Sequence, residues 1–127
     1  MYKELIDEAI KARDNAYVPY SKFKVGAALK TKSGKVYLGA NIENASYSLT
    51  NCAERTAFFK AVYDGEREFE AIAIVGGEDK LCLCPPCGAC RQVMSEFCKG
   101  DFKIILFDGK DEKVYTLDEI LPLRFEL

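Results

Sequence analysis

Histidine is absent from the 127-residue sequence. That removes every hydrolytic triad in which an imidazole acts as base, and every zinc site built on imidazole nitrogen. Positive charge is not in excess either: 18 Lys and Arg stand against 20 Asp and Glu, a formal net charge of -2. The lysines are interspersed with acidic residues and form no basic run. A polynucleotide draws most of its affinity from Lys and Arg, so no polymeric nucleic acid partner is expected. Long apolar runs are missing as well. The first apolar cluster, Leu5, Ile6, Ala9 and Ile10, is split by Asp7 and Glu8, unlike a signal peptide or a membrane span. No membrane partner is expected, and the cytoplasm is the expected compartment. With no repeats, low-complexity stretches or linkers, the chain fits one domain over residues 1–127. A chain this short buries a modest core, so a bound metal or subunit contacts matter to its stability.

What is present is cysteine, six in all, in a chain that is 49% hydrophobic and 30% charged. In the cytosol these read as metal ligands or reduced thiols, not as a disulfide framework. Residues 2–15 read as an amphipathic helix, and Pro19 disfavours helix at Val18. Phe23, Val25, Ala27, Leu29 and Thr31 alternate as in a half-buried strand, Ser33-Gly34 turns, and residues 36–42 return as a second strand. Residues 51–63 are helical in pattern, 71–75 form a short buried strand ended by Gly76-Gly77, and a helix runs from Cys87 to Cys98. Strands follow at 102–107 and 113–115, and Thr116-Leu117-Asp118-Glu119 is a capping box for a last short helix. Strands separated by helices predict one mixed sheet flanked by helices, an α/β layered domain.

The chemistry concentrates at Cys52-Ala53-Glu54, at one predicted helix start, and Pro86-Cys87-Gly88-Ala89-Cys90, at another. Helix N-termini favour thiolate over thiol. Three protein ligands leave a fourth tetrahedral position for water, the arrangement of a catalytic zinc, which brings the pKa of that water to about 7. Three thiolates around one divalent ion sum to a charge of -1. The guanidinium groups of Arg55 and Arg91, beside the cysteines, are candidates to donate to the sulfurs and offset it. Glu54, on the same short turn as Cys52, suits a proton-moving carboxylate better than a ligand. Cys84-Pro85-Pro86-Cys87 repeats the two-residue spacing, so a closed four-thiolate structural site using Cys82 or Cys84 is the alternative. Against it, Pro85-Pro86 stiffens an extended segment and only the second pair opens a helix.

Asn41-Ile42-Glu43-Asn44, Cys52-Ala53-Glu54-Arg55-Thr56-Ala57 and Pro86-Cys87-Gly88-Ala89-Cys90-Arg91-Gln92-Val93 together resemble the small homotetrameric zinc-dependent cytidine deaminases. Pro19-Tyr20-Ser21-Lys22-Phe23 and Leu121-Pro122 extend the resemblance over essentially the whole chain. It implies a three-layer α/β/α sandwich with a mixed five-stranded central sheet, and one Zn2+ per chain on Cys52, Cys87 and Cys90. It further implies hydrolytic deamination of free cytidine and deoxycytidine, with water attacking C4 and Glu54 as proton shuttle. Asn41 and Glu43 match the partners of the ribose hydroxyls, Phe23 an aromatic wall beside the base, and the Ala53 backbone a group holding the base near the metal. Phe125, three residues after Leu121-Pro122, matches a C-terminal aromatic that reaches into a neighbour's pocket in a homotetramer. Three rivals share parts of this pattern. A deaminase of a modified cytosine compound would need a different sugar pocket. A structural zinc module would have no use for Glu54, and a polynucleotide deaminase would need more positive charge.

Overall fold

Alternation along the strands sorts the apolar side chains onto two faces, and each face finds helices to cover it. The computed structural model describes residues 2–127. In chain order it holds α1 (Lys3–Arg13), β1 (Lys24–Thr31), β2 (Val36–Ala40), α2 (Ala53–Tyr63) and β3 (Phe69–Gly77). Then come α3 (Gly88–Phe97), β4 (Lys103–Phe107), β5 (Glu112–Thr116) and α4 (Leu117–Ile120). A short 3-10 turn, Tyr47–Leu49, precedes α2. The five strands form one sheet in the order β2-β1-β3-β4-β5. Only β3 and β4 are parallel, joined by the crossover through α3; the other pairs are antiparallel.

On one face Val25, Ala27, Leu29, Ile72, Ile74, Ile104 and Leu106 pack under α2, α3 and α4 against Ala57, Phe58, Met94 and Leu117. On the other face Ala28, Ala71, Ala73, Val75 and Ile105 pack against Leu5, Ile6 and Ala9 of α1. The odd and even positions of each strand thus serve opposite cores, as a period of two requires. This is the three-layer α/β/α sandwich with a mixed five-stranded sheet. The expected capping box is present, with Glu119 N–H donating to Thr116 Oγ1 and Thr116 N–H donating to Glu119 Oε1.

The boundaries differ from expectation for local reasons. The two central helices begin at Ala53 and Gly88, because Cys52 and Cys87 keep extended backbone angles just outside them. β2 stops at Ala40 because Ile42 turns to pair with Tyr17 and Asn51 instead. β3 runs through Gly76 and Gly77, which the sequence marked as its end, because both stay paired with β1.

Helix α1 lies close on β1 because Gly26 has no side chain. A methyl group there would sit 2.1 Å from the Ala9 carbonyl oxygen and 2.5 Å from Arg13 N. Both are backbone atoms of a helix and cannot swing aside. Gly26→Ala is therefore expected to destabilise the fold by about 3 kcal/mol or more, at the upper end of overpacking effects. Chemical denaturation of the two chains measures it.

Candidate active site and metal centre

Helices α2 and α3 each begin on a cysteine. Cys52 (φ -71°, ψ 154°) and Cys87 (φ -69°, ψ 167°) occupy the N-cap positions, across the helix end where free N–H groups favour a negative atom. Cys90 follows Cys87 by nearly one helical turn and returns to the same side. The sulfurs of Cys52 and Cys87 are 3.9 Å apart, those of Cys87 and Cys90 3.4 Å, and all three lie within 4.8 Å of one another. Zinc–sulfur bonds of about 2.3 Å at tetrahedral angles put sulfurs about 3.8 Å apart. The donor set and its spacing therefore fit zinc, which soft thiolates favour over hard cations. Cys82 and Cys84 are not part of this group, so the four-thiolate alternative falls.

The electrostatics of the cluster are uneven. Arg55 Nη2 donates to Cys52 Sγ at 3.1 Å. Hydrogen bonds from Cys90 and Arg55 hold the Cys52 thiol down to about 5, whereas Cys90, facing Cys52, is pushed up. Arg55 is raised in turn by its bond to Cys52. Glu54 is only 5% exposed. Burial, and then the nearby Cys52 charge, push its carboxyl up to about 7. Ala53, the first residue of α2, is buried beside it.

Asn41 and Glu43 stand just past β2 and hold neighbouring segments. Asn41 Oδ1 accepts from Val25 N–H and its Nδ2 donates to the Phe23 carbonyl, both at 2.9 Å. Asn41 N–H still donates to the Val25 carbonyl at 3.3 Å, so its side-chain oxygen supplies the acceptor half of the next rung of the β1–β2 ladder. Glu43 Oε1 accepts from the N–H groups of Tyr20 and Ser21 at 3.1 Å, and its Oε2 accepts from the Ser21 hydroxyl. That hydroxyl, with the two N–H groups, keeps the Glu43 carboxyl below the usual range. Asn51, immediately before Cys52, exchanges both backbone hydrogen bonds with Ile42 at 3.0 Å. The segment from Asn41 to Glu43 is thereby fixed to the start of α2. Ser21 and Asn51 were not marked by the sequence; their only local signal is their place within the Pro-Tyr-Ser and Asn-Cys-Ala-Glu runs.

Phe23 is half-buried against the larger core cluster, next to Gly76 and Cys84. Arg91 departs from expectation. Its Nε donates to the Pro86 carbonyl and its Nη1 to the Ile120 carbonyl, both at 2.8 Å. It braces the loop before Cys87 against the end of α4 instead of directing these donors at sulfur. Phe125 is exposed, beside Gln92, Ser95 and Glu96 of α3. The structure brings Cys52, Glu54, Arg55, Cys87 and Cys90 together and leaves Phe125 facing outward.

A mixed sheet with two cysteine-capped helix starts at one end, and a buried glutamate beside three converging sulfurs, defines an α/β domain built for zinc-assisted chemistry. The sequence matches the family model for the cytidine and deoxycytidylate deaminase zinc-binding region over residues 1–106, and the chain belongs to that family. It is 58% identical over 122 residues to the cytidine deaminase of Halalkalibacterium halodurans, covering 95% of this chain and 91% of that protein. To the cytidine deaminase of Sporosarcina psychrophila it is 55% identical over 124 residues, covering 97% and 90%. The crystal structure of cytidine deaminase from Burkholderia pseudomallei superposes with a TM-score of 0.92 at 50% identity, over 98% of this chain and 99% of that one.

The metal is expected at one zinc per chain. Elemental analysis should find it retained in Cys82→Ala and Cys84→Ala and lost in Cys87→Ala. Arg55→Gln is expected to weaken zinc retention about 10–100-fold, the usual effect of removing a group that supports a ligand.

Proposed function

We propose that this chain hydrolyses free cytidine and deoxycytidine to uridine and deoxyuridine, releasing ammonia. The observation that carries this reading is Glu54, a buried carboxyl two residues past one of three sulfurs that converge at two helix starts. Zinc held by Cys52, Cys87 and Cys90 supplies the Lewis acidity that makes water nucleophilic near neutral pH. Glu54 manages the protons. It takes one proton from the attacking water and gives it to the ring nitrogen beside C4 as the carbon–oxygen bond forms. It then takes the remaining hydroxyl proton and gives it to the amine, which leaves as ammonia when the carbon–nitrogen bond breaks and the C4 carbonyl forms. Burial of Glu54 excludes solvent that would compete for these protons.

The remaining roles follow from what each group has left to offer. The free N–H groups at the start of α2, with the Ala53 backbone, hold the base near the sulfurs. Asn41 Nδ2 keeps one N–H, and Glu43 Oε2, which accepts only from the Ser21 hydroxyl, has further acceptor capacity; both serve the sugar hydroxyls. Phe23 forms the wall beside the base. Arg55 dilutes the sulfur charge, while Arg91 acts on the ligand set by holding the backbone before Cys87. Residues 1–127 act as one domain, in the cytoplasm; among the described residues no helix is long and apolar enough to cross a membrane.

A side-by-side assay on cytidine, cytosine, a cytosine nucleotide and an oligonucleotide tests the reading. Cytidine is expected to be turned over far faster than free cytosine, and Glu43→Ala to narrow that gap. Glu54→Gln should lower turnover by about 10²–10⁴-fold or more with zinc still bound. Equal activity on base and nucleoside would point to another pocket.

The working form is proposed to be a homotetramer. Tyr17, Tyr20, Ile42, Tyr47 and Leu49 are exposed. Tyr17 pairs with Ile42, and the Tyr20 and Tyr47 rings are in edge-on contact. Exposed apolar groups of this kind support subunit contact. Phe125 completes a neighbour's pocket, where burial of such a ring contributes about 1.5–3 kcal/mol. Light scattering should give about four times the 14.2 kDa chain mass. Phe125→Ala should raise the Michaelis constant for cytidine without loss of zinc, and a fully active monomer would remove both roles.

A further inference from the structure

Gly76 occupies a position at which the strand pattern calls for a side chain. Ile72 and Ile74 of β3 point into the core under α2 and α3, and Gly76 is next in that series of alternate residues. Having only hydrogen there, the sheet keeps a recess near its end, on the same face as the helix starts that carry the sulfurs. Two side chains enter that recess from opposite sides. Val25 pairs with Gly76 across β1, and Phe23 lies two residues further along the same side of that chain. Cys82 N–H donates to the Gly76 carbonyl at 2.8 Å, and Cys84 lies two residues further along the cysteine-rich loop. A methyl group on Gly76 would stand 2.8 Å from Cys84 Sγ, 3.0 Å from Cys84 Cβ and 3.1 Å from Phe23 Cε1. Both side chains are partly buried against the core cluster that holds Ala53 and Ala57 of α2.

We infer that Gly76 is a positioning residue for substrate, its missing side chain letting Phe23 and Cys84 sink into one recess and so setting the depth of the aromatic wall. The inference rests on the reading of Phe23 as that wall. It also gives Cys84 a use that the metal site does not: its sulfur fills the recess as a small neutral group. Burial pushes the Cys84 thiol up to about 12, so it stays protonated and uncharged there. A side chain at position 76 would push the ring and the sulfur outward together, into the space the base needs. Displacements of this size near a reacting centre have large effects on productive binding.

Gly76→Ala, Cys84→Ala, the double variant and Phe23→Leu, each measured as zinc per chain, kcat and KM for cytidine, form the test. Gly76→Ala is expected to raise KM about tenfold while zinc stays at one per chain, a size set by the sensitivity of bound geometry. Adding Cys84→Ala removes the nearest clashing atom and should bring KM back to within about threefold of the parent. A purely structural role for Gly76 would lower zinc content and kcat together and would not be rescued from the loop. KM unchanged in Gly76→Ala, or raised and not recovered in the double variant, overturns the inference. Should Gly76→Ala fail to fold, Cys84→Leu crowds the same recess without touching β3; the same rise in KM is expected, and an unchanged KM overturns the inference equally. Phe23→Leu separates the two ideas. Unchanged KM there overturns the wall reading and with it the inference. Raised KM there, alongside unchanged KM in Gly76→Ala, overturns the inference alone.

Discussion

Three sulfur atoms within 4.8 Å of one another, each negative once it binds metal, repel one another unless something positive lies close by. A chain without histidine has no neutral ligand with which to lower that charge at the metal itself. The compensation comes from outside the ligand set. Cys52 and Cys87 occupy the N-cap positions of two helices, whose N-terminal ends carry partial positive charge, and Arg55 donates directly to Cys52. Much of the architecture serves this meeting of two helix ends. The parallel β3–β4 pair places the start of α3 beyond the end of β3. Gly39, where a methyl group would meet the Ala53 carbonyl oxygen at 2.2 Å, lets the start of α2 settle on β2. In open α/β sheets, sites lie beyond the carboxyl ends of parallel strands, and the centre obeys that rule.

Much of this was legible in the sequence, because both periodicity and capping are local properties. Alternate apolar residues marked the first strand, short apolar runs marked β3 and β4, and the cysteines marked both central helix starts to within two residues. The order of strands was not legible. Alternation tells which face a residue serves but not which neighbour its strand takes, so the place of β1 between β2 and β3 came only with the structure. The two arginines show a similar limit. Arg55 stands three residues after Cys52, close to one helical turn, so its side chain returns to the sulfur. Arg91 follows Cys90 by one residue, about 100° around the helix, and the Pro86 and Ile120 carbonyls take its donors. Being next to a ligand in sequence is a poor guide to direction. Gly76 was visible only as punctuation, since a recess made of several segments leaves no trace in any one of them.

The segment from Asn41 to Glu43 has two duties. Its backbone pairs with Tyr17 on one side and Asn51 on the other, and its two polar side chains hold β1 and the Tyr20–Ser21 turn. In the proposed function the same two side chains receive the sugar. An amide and a carboxylate have enough donors and acceptors for both.

Glu43 meets the Tyr20–Ser21 turn through three hydrogen bonds before any substrate arrives. A carboxylate on a free loop loses several rotamers when it closes on a ligand, and each such immobilised side chain costs about 0.5–1.5 kcal/mol. Here that conformational entropy is given up during folding, so a sugar hydroxyl received by Glu43 would find an acceptor already held still. The expense is moved from the binding event to the assembly of the protein.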